Sequence, residues 1–191
     1  AVPPAFHVPN IEALVDGASI VIVAVPVPSM HEALVSLRPF LKPDQIVIDV
    51  GSVKARPIEA MQRVLGSEIP WVGTHPLFGP VSLARAERPR RVVVCPNAQH
   101  PGAAKRVRAM FERLDCEVIE ADAEAHDRVM ADTHALTFFL AKAMLDIGAG
   151  DAPYAPPSFH AIARTIDLVR SDAGHLFSAI HRENPFAADA R

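Results

Sequence analysis

Apolar residues follow two alternating patterns over roughly the first 120 positions of the chain. Short runs rich in β-branched residues are typical of strands buried in a sheet, and the first of them, "SIVIVAV", is typical of a strand buried on both faces. Five such runs occur, at 19–25, 45–50, 70–74, 91–96 and 116–121. The segments at 55–65 and 101–114 have helical periodicity, as does the segment that carries Met30, Leu34, Leu37 and Leu41. Strands separated by amphipathic helices indicate βαβ units, so we predict an α/β fold with a doubly wound parallel sheet and helices on both faces.

The pattern changes after Asp122. Residues 123–150 contain no proline and predict one long helix, which is apolar on nearly all sides from Leu136 to Leu145. A helix of that kind needs other helices around it. A proline-rich break at 151–158 and two further helical segments, at 159–170 and 173–184, follow it. We therefore expect a second, all-α part.

Composition narrows the possible functions. The chain has 191 residues, a formal net charge of −3 and 50% hydrophobic residues, so it lacks the basic surface of a nucleic-acid-binding protein. Cys95 and Cys116 lie beside valine-rich runs without metal-ligand spacing, which predicts reduced core residues and no metal. No apolar run has membrane-spanning length, and the first residues lack a charged segment followed by an apolar one. We expect a cytoplasmic protein with no membrane partner.

Three unusual segments follow predicted strands: "AVPVPS", "DVGSVK" and "GTHPLFGP". Each alone is typical of an ordinary turn or stiff loop. The carboxyl ends of parallel strands share one rim, where open α/β sheets bind their ligands. In the third segment Pro76 disfavours helical geometry at His75, so the imidazole projects from extended backbone. Together the three segments favour a binding site at this rim.

Four segments in order, "VIDVGSVK", "WVGTHPLFGP", "RVVVCP" and "EAHDRVMADTHALTFFLAKAM", resemble the prephenate/arogenate dehydrogenases of tyrosine biosynthesis. The resemblance runs from about Val21 to the C-terminus. It implies a Rossmann-type dinucleotide-binding domain at 1–122, lacking its N-terminal part, and a helical substrate and dimerisation domain at 123–191. It also implies a homodimer that uses NAD or NADP and acts on a small molecule, prephenate or arogenate.

The implied reaction is an oxidative decarboxylation of a cyclohexadienol to a phenol. It needs a base near the hydroxyl, and His75 matches the family's catalytic histidine. The acid limb of activity is then expected near the pKa of an ordinary histidine. Ser52 matches a serine that hydrogen-bonds near the substrate hydroxyl, although it could also cap the following helix. Lys54 is expected to be solvated.

On the cofactor side, the resemblance implies contacts to the nicotinamide end. The residues concerned are Ala24, Val25, Pro26, Gly51 and Pro76. No Gly-x-Gly-x-x-Gly occurs in the 191 residues, and the family carries it before the region where this chain starts. The first strand would then be an unprotected edge. We expect about fifty to eighty further residues upstream, the size of a βαβ unit with its glycine turn, and poor dinucleotide binding by these 191 residues alone.

On the substrate side, the resemblance implies His134, Thr137 and Arg164. Many relatives have a histidine where this chain has Phe138, and His134 lies one turn earlier on the same helix face. The arginine of a later helix that holds a substrate carboxylate corresponds best to Arg164. His126 could be a helix-start or interface residue. Prephenate, arogenate and an amino-substituted analogue all stay open.

Two other functions remain possible. A 3-hydroxyacid-type dehydrogenase with the same two-part plan would use a helix lysine as its acid/base, and Lys142 is the lysine of the long helix. A non-catalytic dimerising module that has lost its cofactor site would also lack the glycine turn.

Overall fold

In the computed structural model, residues 7–149, 154, 156–171 and 175–189 are described. The strands are β1 (Ile20–Val23), β2 (Ile46–Asp49), β3 (Trp71–Pro76), β4 (Arg91–Cys95) and β5 (Glu117–Glu120). The helices are α1 (Ile11–Val15), α2 (Met30–Leu37), α3 (Ala55–Leu65), α4 (Pro80–Ala84), α5 (Pro101–Arg113), α6 (Ala123–Met130), α7 (Leu136–Asp146), α8 (His160–Ser171) and α9 (His175–Glu183). All five predicted strands are present. The short helices α1 and α4 were not predicted.

The strands form one sheet in the order β1-β2-β3-β4-β5. β1, β2 and β3 are mutually parallel, and β4 is parallel to β5, but β3 and β4 are antiparallel, with His75 opposite Val93. The predicted parallel sheet is therefore confirmed except at this one pair. The connection between β3 and β4 contains only the short helix α4, so the chain re-enters the sheet at the rim where it left.

Helices cover both faces of the sheet, as predicted. On one face, α2 and α3 pack through Leu34 and Met61 against Val47 of β2. On the other face, α5 packs through Val107 and Phe111 against strand residues such as Val92 and Val94. Because consecutive side chains of a strand point to opposite faces, the buried strand β2 contributes Val47 to one core and Ile46 and Ile48 to the other.

β1 differs from the expectation for a strand buried on both faces. Val21 and Val23 are buried, whereas the Ile22 between them is 53% exposed. Within the described residues β1 pairs with β2 alone, and one of its edges carries no neighbouring strand. Although the whole sequence of β1 is apolar, one face of the strand is therefore buried and the other is partly exposed among the described residues.

The chain after β5 is helical through most of its described residues. α6 and α7 form one continuous helix, joined by a π-helical turn at Ala131–Ala135. This helix ends at Asp146 rather than at the predicted 150, a position outside the described residues. Phe138 and Ala141 of α7 pack against Ile166 of α8 and Ile180 of α9. The predicted break at 151–158 and the Ser171–Asp172 junction lie partly outside the described residues.

Among the described residues, no helix is both long and apolar enough to cross a membrane.

Candidate active site

His75 lies in β3 where the strand reaches the rim of the sheet. Its side chain is 4% exposed and borders a cavity of about 600 Å³ between the sheet and the helix formed by α6 and α7. Pro76 follows it in the same strand, so the backbone is extended at His75, as the His-Pro sequence predicts. The backbone that carries the ring is held in the sheet, opposite Val93 of β4.

The cavity brings several predicted site residues together. Ser52, His75, Pro76, His134 and Thr137 all line it. Apolar side chains form much of the remaining wall: Val50, Leu77, Phe78, Val81, Met130, Phe138 and Leu176.

One face of the long helix supplies the wall opposite His75. The contributing residues are Met130, Thr133, His134, Thr137 and Phe138. Their spacing of i, i+3, i+4, i+7 and i+8 is that of one helix face. The π-helical turn lies in the middle of this face, and such turns are frequent at functional sites.

The predicted cofactor residues Ala24, Val25 and Pro26 follow β1 at its carboxyl end. They do not line the cavity, but Val23 is in register with Asp49, so the next residue of each strand places Ala24 beside Val50, a cavity residue. Gly51 donates its backbone N–H to Asp49 Oδ2 at 2.9 Å. A Cβ at Gly51 would lie 3.1 Å from that same oxygen, which explains the glycine.

Two cationic candidates lie elsewhere. Arg164 is exposed on α8 and does not border the cavity. Lys142 is paired with Asp146 on the outside of α7. The described residues that line the cavity include no arginine or lysine, so its polar groups are imidazoles and hydroxyls.

Sequence reasoning missed a hydrogen-bonded chain behind His75. His75 Nδ1 lies 2.9 Å from His126 Nε2, and His126 Nδ1 lies 2.7 Å from Asp127 Oδ1. Both partners are buried. Asn184 donates its side-chain amide to the backbone carbonyl of Asp127 at 2.7 Å, which holds the middle of α6 against the end of α9. The "EAHD" segment was recognised, but its contact with a strand 51 residues away cannot be read from local sequence.

Asp127 also caps the start of α3, a role for which Ser52 was the candidate from sequence. The backbone N–H groups of Lys54 and Ala55, at the start of α3, donate to Asp127 Oδ1 (2.7 Å) and Oδ2 (2.9 Å). Ser52 makes no side-chain cap of this helix. The helix start is capped from a distant helix, and Ser52 lies on the cavity wall.

Lys54 is not solvated, contrary to the expectation from sequence. Its side chain is fully buried and forms an ion pair with Asp49, which is also fully buried. Asp49 accepts further hydrogen bonds from the backbone N–H groups of Gly51 (2.9 Å) and Thr74 (3.1 Å). A buried charge pair is tolerated only with such additional hydrogen bonds.

The surroundings of the two cavity histidines favour their neutral forms. Burial lowers the pKa of His75 well below 6.5, and electrostatic interactions with His126, Lys54 and His134 lower it further. Burial likewise lowers the pKa of His134, with His181 and His126 adding to the effect. At neutral pH, therefore, His75 is an unprotonated base beside a largely apolar cavity that contains several hydroxyl groups. Among the described residues, no cluster of three or more His, Cys, Asp or Glu side chains is arranged to hold a metal ion.

Comparison with known proteins gives a consistent family. Residues 5–120 match the family model described as the nucleotide-binding domain of prephenate dehydrogenase. The chain is 31% identical over 193 residues to the 4-amino-4-deoxyprephenate dehydrogenase of Streptomyces pristinaespiralis, covering 96% of this chain and 62% of that protein. It is 27% identical over 190 residues to a probable arogenate/prephenate dehydrogenase of Methanocaldococcus jannaschii, covering 92% of this chain and 41% of that protein. The chain thus spans about two fifths to three fifths of the length of these two relatives.

A solved structure shares the fold. The prephenate dehydrogenase of Aquifex aeolicus, crystallised with hydroxyphenyl propionate and NAD+, superposes with a TM-score of 0.76 at 24% identity. The match covers 95% of this chain and 67% of that one.

Proposed function

Because the chain belongs to the family of prephenate dehydrogenase nucleotide-binding domains, we propose that it acts in NAD(P)-dependent oxidative decarboxylation of prephenate, arogenate or a closely related cyclohexadienyl substrate. The observation that carries the proposal is His75, a buried neutral imidazole on the wall of a cavity of about 600 Å³. The oxidation needs a base of this kind.

In the proposed mechanism His75 takes the proton of the ring hydroxyl. The O–H bond breaks toward oxygen, and a carbonyl forms as a hydride leaves the same carbon. The ring carboxylate then departs as carbon dioxide, its electron pair completes the aromatic ring, and the carbonyl oxygen regains a proton. Aromatisation drives the loss, so the residues need only position the hydroxyl and hold one proton.

The remaining cavity residues have matching roles. Ser52, Thr137 and His134 present hydrogen-bonding groups to the polar ends of a substrate. Phe78, Phe138 and other apolar residues contact the ring and exclude water, which strengthens the hydrogen bonds inside the cavity. His134 is the candidate partner for a substrate carboxylate within the described lining, because a histidine can donate from its ring nitrogens. Arg164 would have to leave its exposed position on α8 to bind a substrate carboxylate in the cavity.

The residues at the end of β1 could contact the cofactor. Ala24 and Pro26 are exposed and Val25 is partly buried, and this segment, which follows the strand paired with β2, fits the nicotinamide end. The 191 residues contain no glycine-rich turn for the pyrophosphate, so they fit the cofactor only in part. The chemistry that a bound nicotinamide supplies is acceptance of the hydride.

The relatives support a cyclohexadienyl substrate, but their names differ in which member of this class they act on. One is named for prephenate and arogenate, and another for an analogue with an amino group in place of the ring hydroxyl. A neutral imidazole accepts a proton from either group, so His75 fits all three substrates.

We also propose that residues 123–191 form the substrate and dimerisation domain of a homodimer. The support is an apolar face of α7 that the described residues leave uncovered, with Leu140 53% exposed and Ile147 81% exposed. A second copy of the same face would bury it.

The alternative of a 3-hydroxyacid-type dehydrogenase has less support. It needs the helix lysine at the reacting carbon, and Lys142 is instead paired with Asp146 away from the cavity. A non-catalytic module has no use for a buried base on a cavity wall.

The test is a dehydrogenase assay on the longest polypeptide that the gene encodes, with prephenate, arogenate and 4-amino-4-deoxyprephenate, each with NAD and NADP. Turnover with at least one of the three, lost in His75→Asn, is expected. Oxidation of 3-hydroxyacids that depends on Lys142 would favour the alternative enzyme. A folded protein with no turnover on any substrate would favour the non-catalytic module.

A further inference from the structure

Asp127 stands at one end of a chain of hydrogen bonds that reaches His75. The two oxygens of its carboxyl group accept the backbone N–H groups of Lys54 and Ala55, at 2.7 and 2.9 Å. Oxygens that both accept amide protons are those of an ionised carboxylate. The proton in the 2.7 Å contact between Asp127 Oδ1 and His126 therefore belongs to His126 Nδ1.

The position of this proton determines the next one. A neutral imidazole has one N–H donor and one lone pair, so a proton on His126 Nδ1 leaves the lone pair on Nε2. His126 Nε2 lies 2.9 Å from His75 Nδ1. A hydrogen bond at this distance needs a proton, and only His75 Nδ1 can supply it. His75 then carries its own lone pair on Nε2, the nitrogen not engaged with His126.

We propose that Asp127 and His126 are positioning residues that hold His75 in the tautomer whose Nε2 lone pair is available to the cavity. This inference rests on the function proposed above, for which His75 must accept a proton. Without the two partners, His75 would divide between two tautomers, and in one of them Nε2 carries a proton and is no base.

The same contacts suit the protonated state. When His75 Nε2 gains a proton, both ring nitrogens become donors. Nδ1 keeps its bond to His126 Nε2, so nothing in the chain has to rotate. The carboxylate of Asp127 is held by the start of α3, and the backbone carbonyl of the same residue is held by Asn184. The negative charge of the carboxylate stabilises the positive charge of protonated His75 through His126.

The direct test reads the tautomers without an activity assay. Long-range ¹⁵N–¹H correlation spectra of the histidine-labelled full chain at neutral pH distinguish Nδ1–H from Nε2–H imidazoles. The signals of His75 and His126, two of nine histidines, are assigned with His75→Asn and His126→Gln. We expect both wild-type rings to be Nδ1–H tautomers. A wild-type His75 in the Nε2–H form would overturn the proposal.

Asp127→Asn tests the direction of the chain. When its NH₂ group takes the place of Oδ1, the asparagine donates to His126 Nδ1, while its oxygen, in the place of Oδ2, still accepts from the N–H group of Ala55. This reverses each proton position and places a proton on His75 Nε2. The analogous reversal in a serine protease triad lowers kcat by about 10⁴, and we expect a loss of about 10³ to 10⁴ here with KM little changed. A folded Asp127→Asn in which His126 has lost its Nδ1 proton while His75 is still Nδ1–H would contradict the mechanism.

Two variants of His126 provide a matched pair if Asp127→Asn does not fold. His126→Gln keeps an oxygen that can accept from His75 Nδ1–H, whereas His126→Leu removes the acceptor at similar volume. We expect His126→Leu to lower kcat about 10- to 100-fold more than His126→Gln, the usual effect of removing a partner that orients a histidine. Equal kcat in the two variants would exclude the positioning role. Expected tautomers in a wild-type protein without dehydrogenase turnover would leave the chain of protons intact and refute the proposed function instead.

Discussion

His75 owes its chemistry to its surroundings rather than to its residue type. The His-Pro sequence indicates an extended backbone, but the lowered pKa depends first on burial and then on electrostatic interactions with His126, Lys54 and His134, all of which lie outside β3. Eight other histidines have the same intrinsic pKa. What distinguishes His75 is that its neutral form is maintained beside a cavity.

At this scale the first prediction concerns turnover. We expect His75→Asn or His75→Ala to lower kcat by roughly two to four orders of magnitude, the usual contribution of a general base. KM should change little, because the base acts mainly in the transition state. His31→Asn, an exposed histidine on α2, should leave kcat unchanged. Steady-state kinetics on the purified variants measure kcat and KM. Near-wild-type turnover in His75→Asn would show that His75 is not the general base.

The pKa shifts also predict a pH dependence of stability. The folded-state pKa values of His75 and His134 lie below the 6.5 of an unfolded histidine, so between these values the unfolded chain binds more protons. The free energy of unfolding is then fully retained above pH 6.5 and decreases as the pH falls toward the folded-state values. Urea denaturation at several pH values should show this slope, and it should be shallower in His75→Asn. The acid limb of kcat should lie below 6.5, lower than the ordinary histidine value expected from sequence.

Among the elements, β3 depends on a close contact at Gly73. A Cβ there would lie 2.9 Å from Ile58 Cδ1 of α3 and 3.3 Å from Cys95 Cβ of β4. We expect Gly73→Ala to lower the free energy of unfolding by about 1–3 kcal/mol, the usual effect of overpacking. Gly102→Ala in α5 meets nothing within 4 Å and is the control, with no loss expected. Denaturation midpoints of the two variants compare them directly, and equal midpoints would show that Ile58 moves aside easily.

Element positions were largely predictable because they follow local patterns. The predicted helix at 55–65 coincides with α3, and the apolar spacing of Met30, Leu34 and Leu37 matches the buried face of α2. The direction of β4 was not predictable, since a strand reads the same in a parallel or antiparallel pair. The π-helical turn was also missed, because its residues have no distinguishing pattern.

The candidate site divides in the same way. His75 and Ser52 were found from motifs at strand ends, and His134 from the spacing of a helix face. Asp127 was missed because its partners lie far along the chain, 73 residues away for the contact with the Lys54 backbone. The ion-pair partner of Lys54 is only five residues away, but the burial of this pair depends on the elements packed around it. Local sequence cannot show that a helix start is capped by another helix.

At the scale of the whole molecule, these 191 residues are predicted to bind the dinucleotide cofactor weakly. These 191 residues present the nicotinamide-side rim without a glycine-rich turn, and the backbone N–H groups of that turn usually hold the pyrophosphate. We expect calorimetry on the 191-residue chain to detect little or no NAD or NADP binding. Micromolar affinity in a folded sample would place the cofactor site elsewhere in the chain.

The outer face of α7 sets the last prediction, which concerns assembly. Leu136, Leu140, Ala143 and Ile147 lie at helical spacing on one side, while Phe138 and Ala141 on the other side pack against α8 and α9. The composition of this helix predicted that it would be surrounded, and the described helices cover only its inner side. Burying two copies of the outer side against each other would remove apolar area from water at about 25 cal/mol per Å². We therefore expect light scattering to give the mass of a dimer at micromolar concentration.

The same assembly can be broken without touching the core. Phe139 and Met144 of α7 are unsuitable positions for a charge, because both are partly buried and the substitution would disturb the fold. Leu140→Glu places the charge on a side chain that is already 53% exposed. Leu114→Glu, on a 56% exposed leucine beyond α5, is the matched control. We expect Leu140→Glu to halve the mass, since each dimer would bury two unpaired carboxylates, and Leu114→Glu to leave it unchanged. A wild-type chain that scatters as a monomer would refute the homodimer, and a dimer that persists in Leu140→Glu would move the interface to another face.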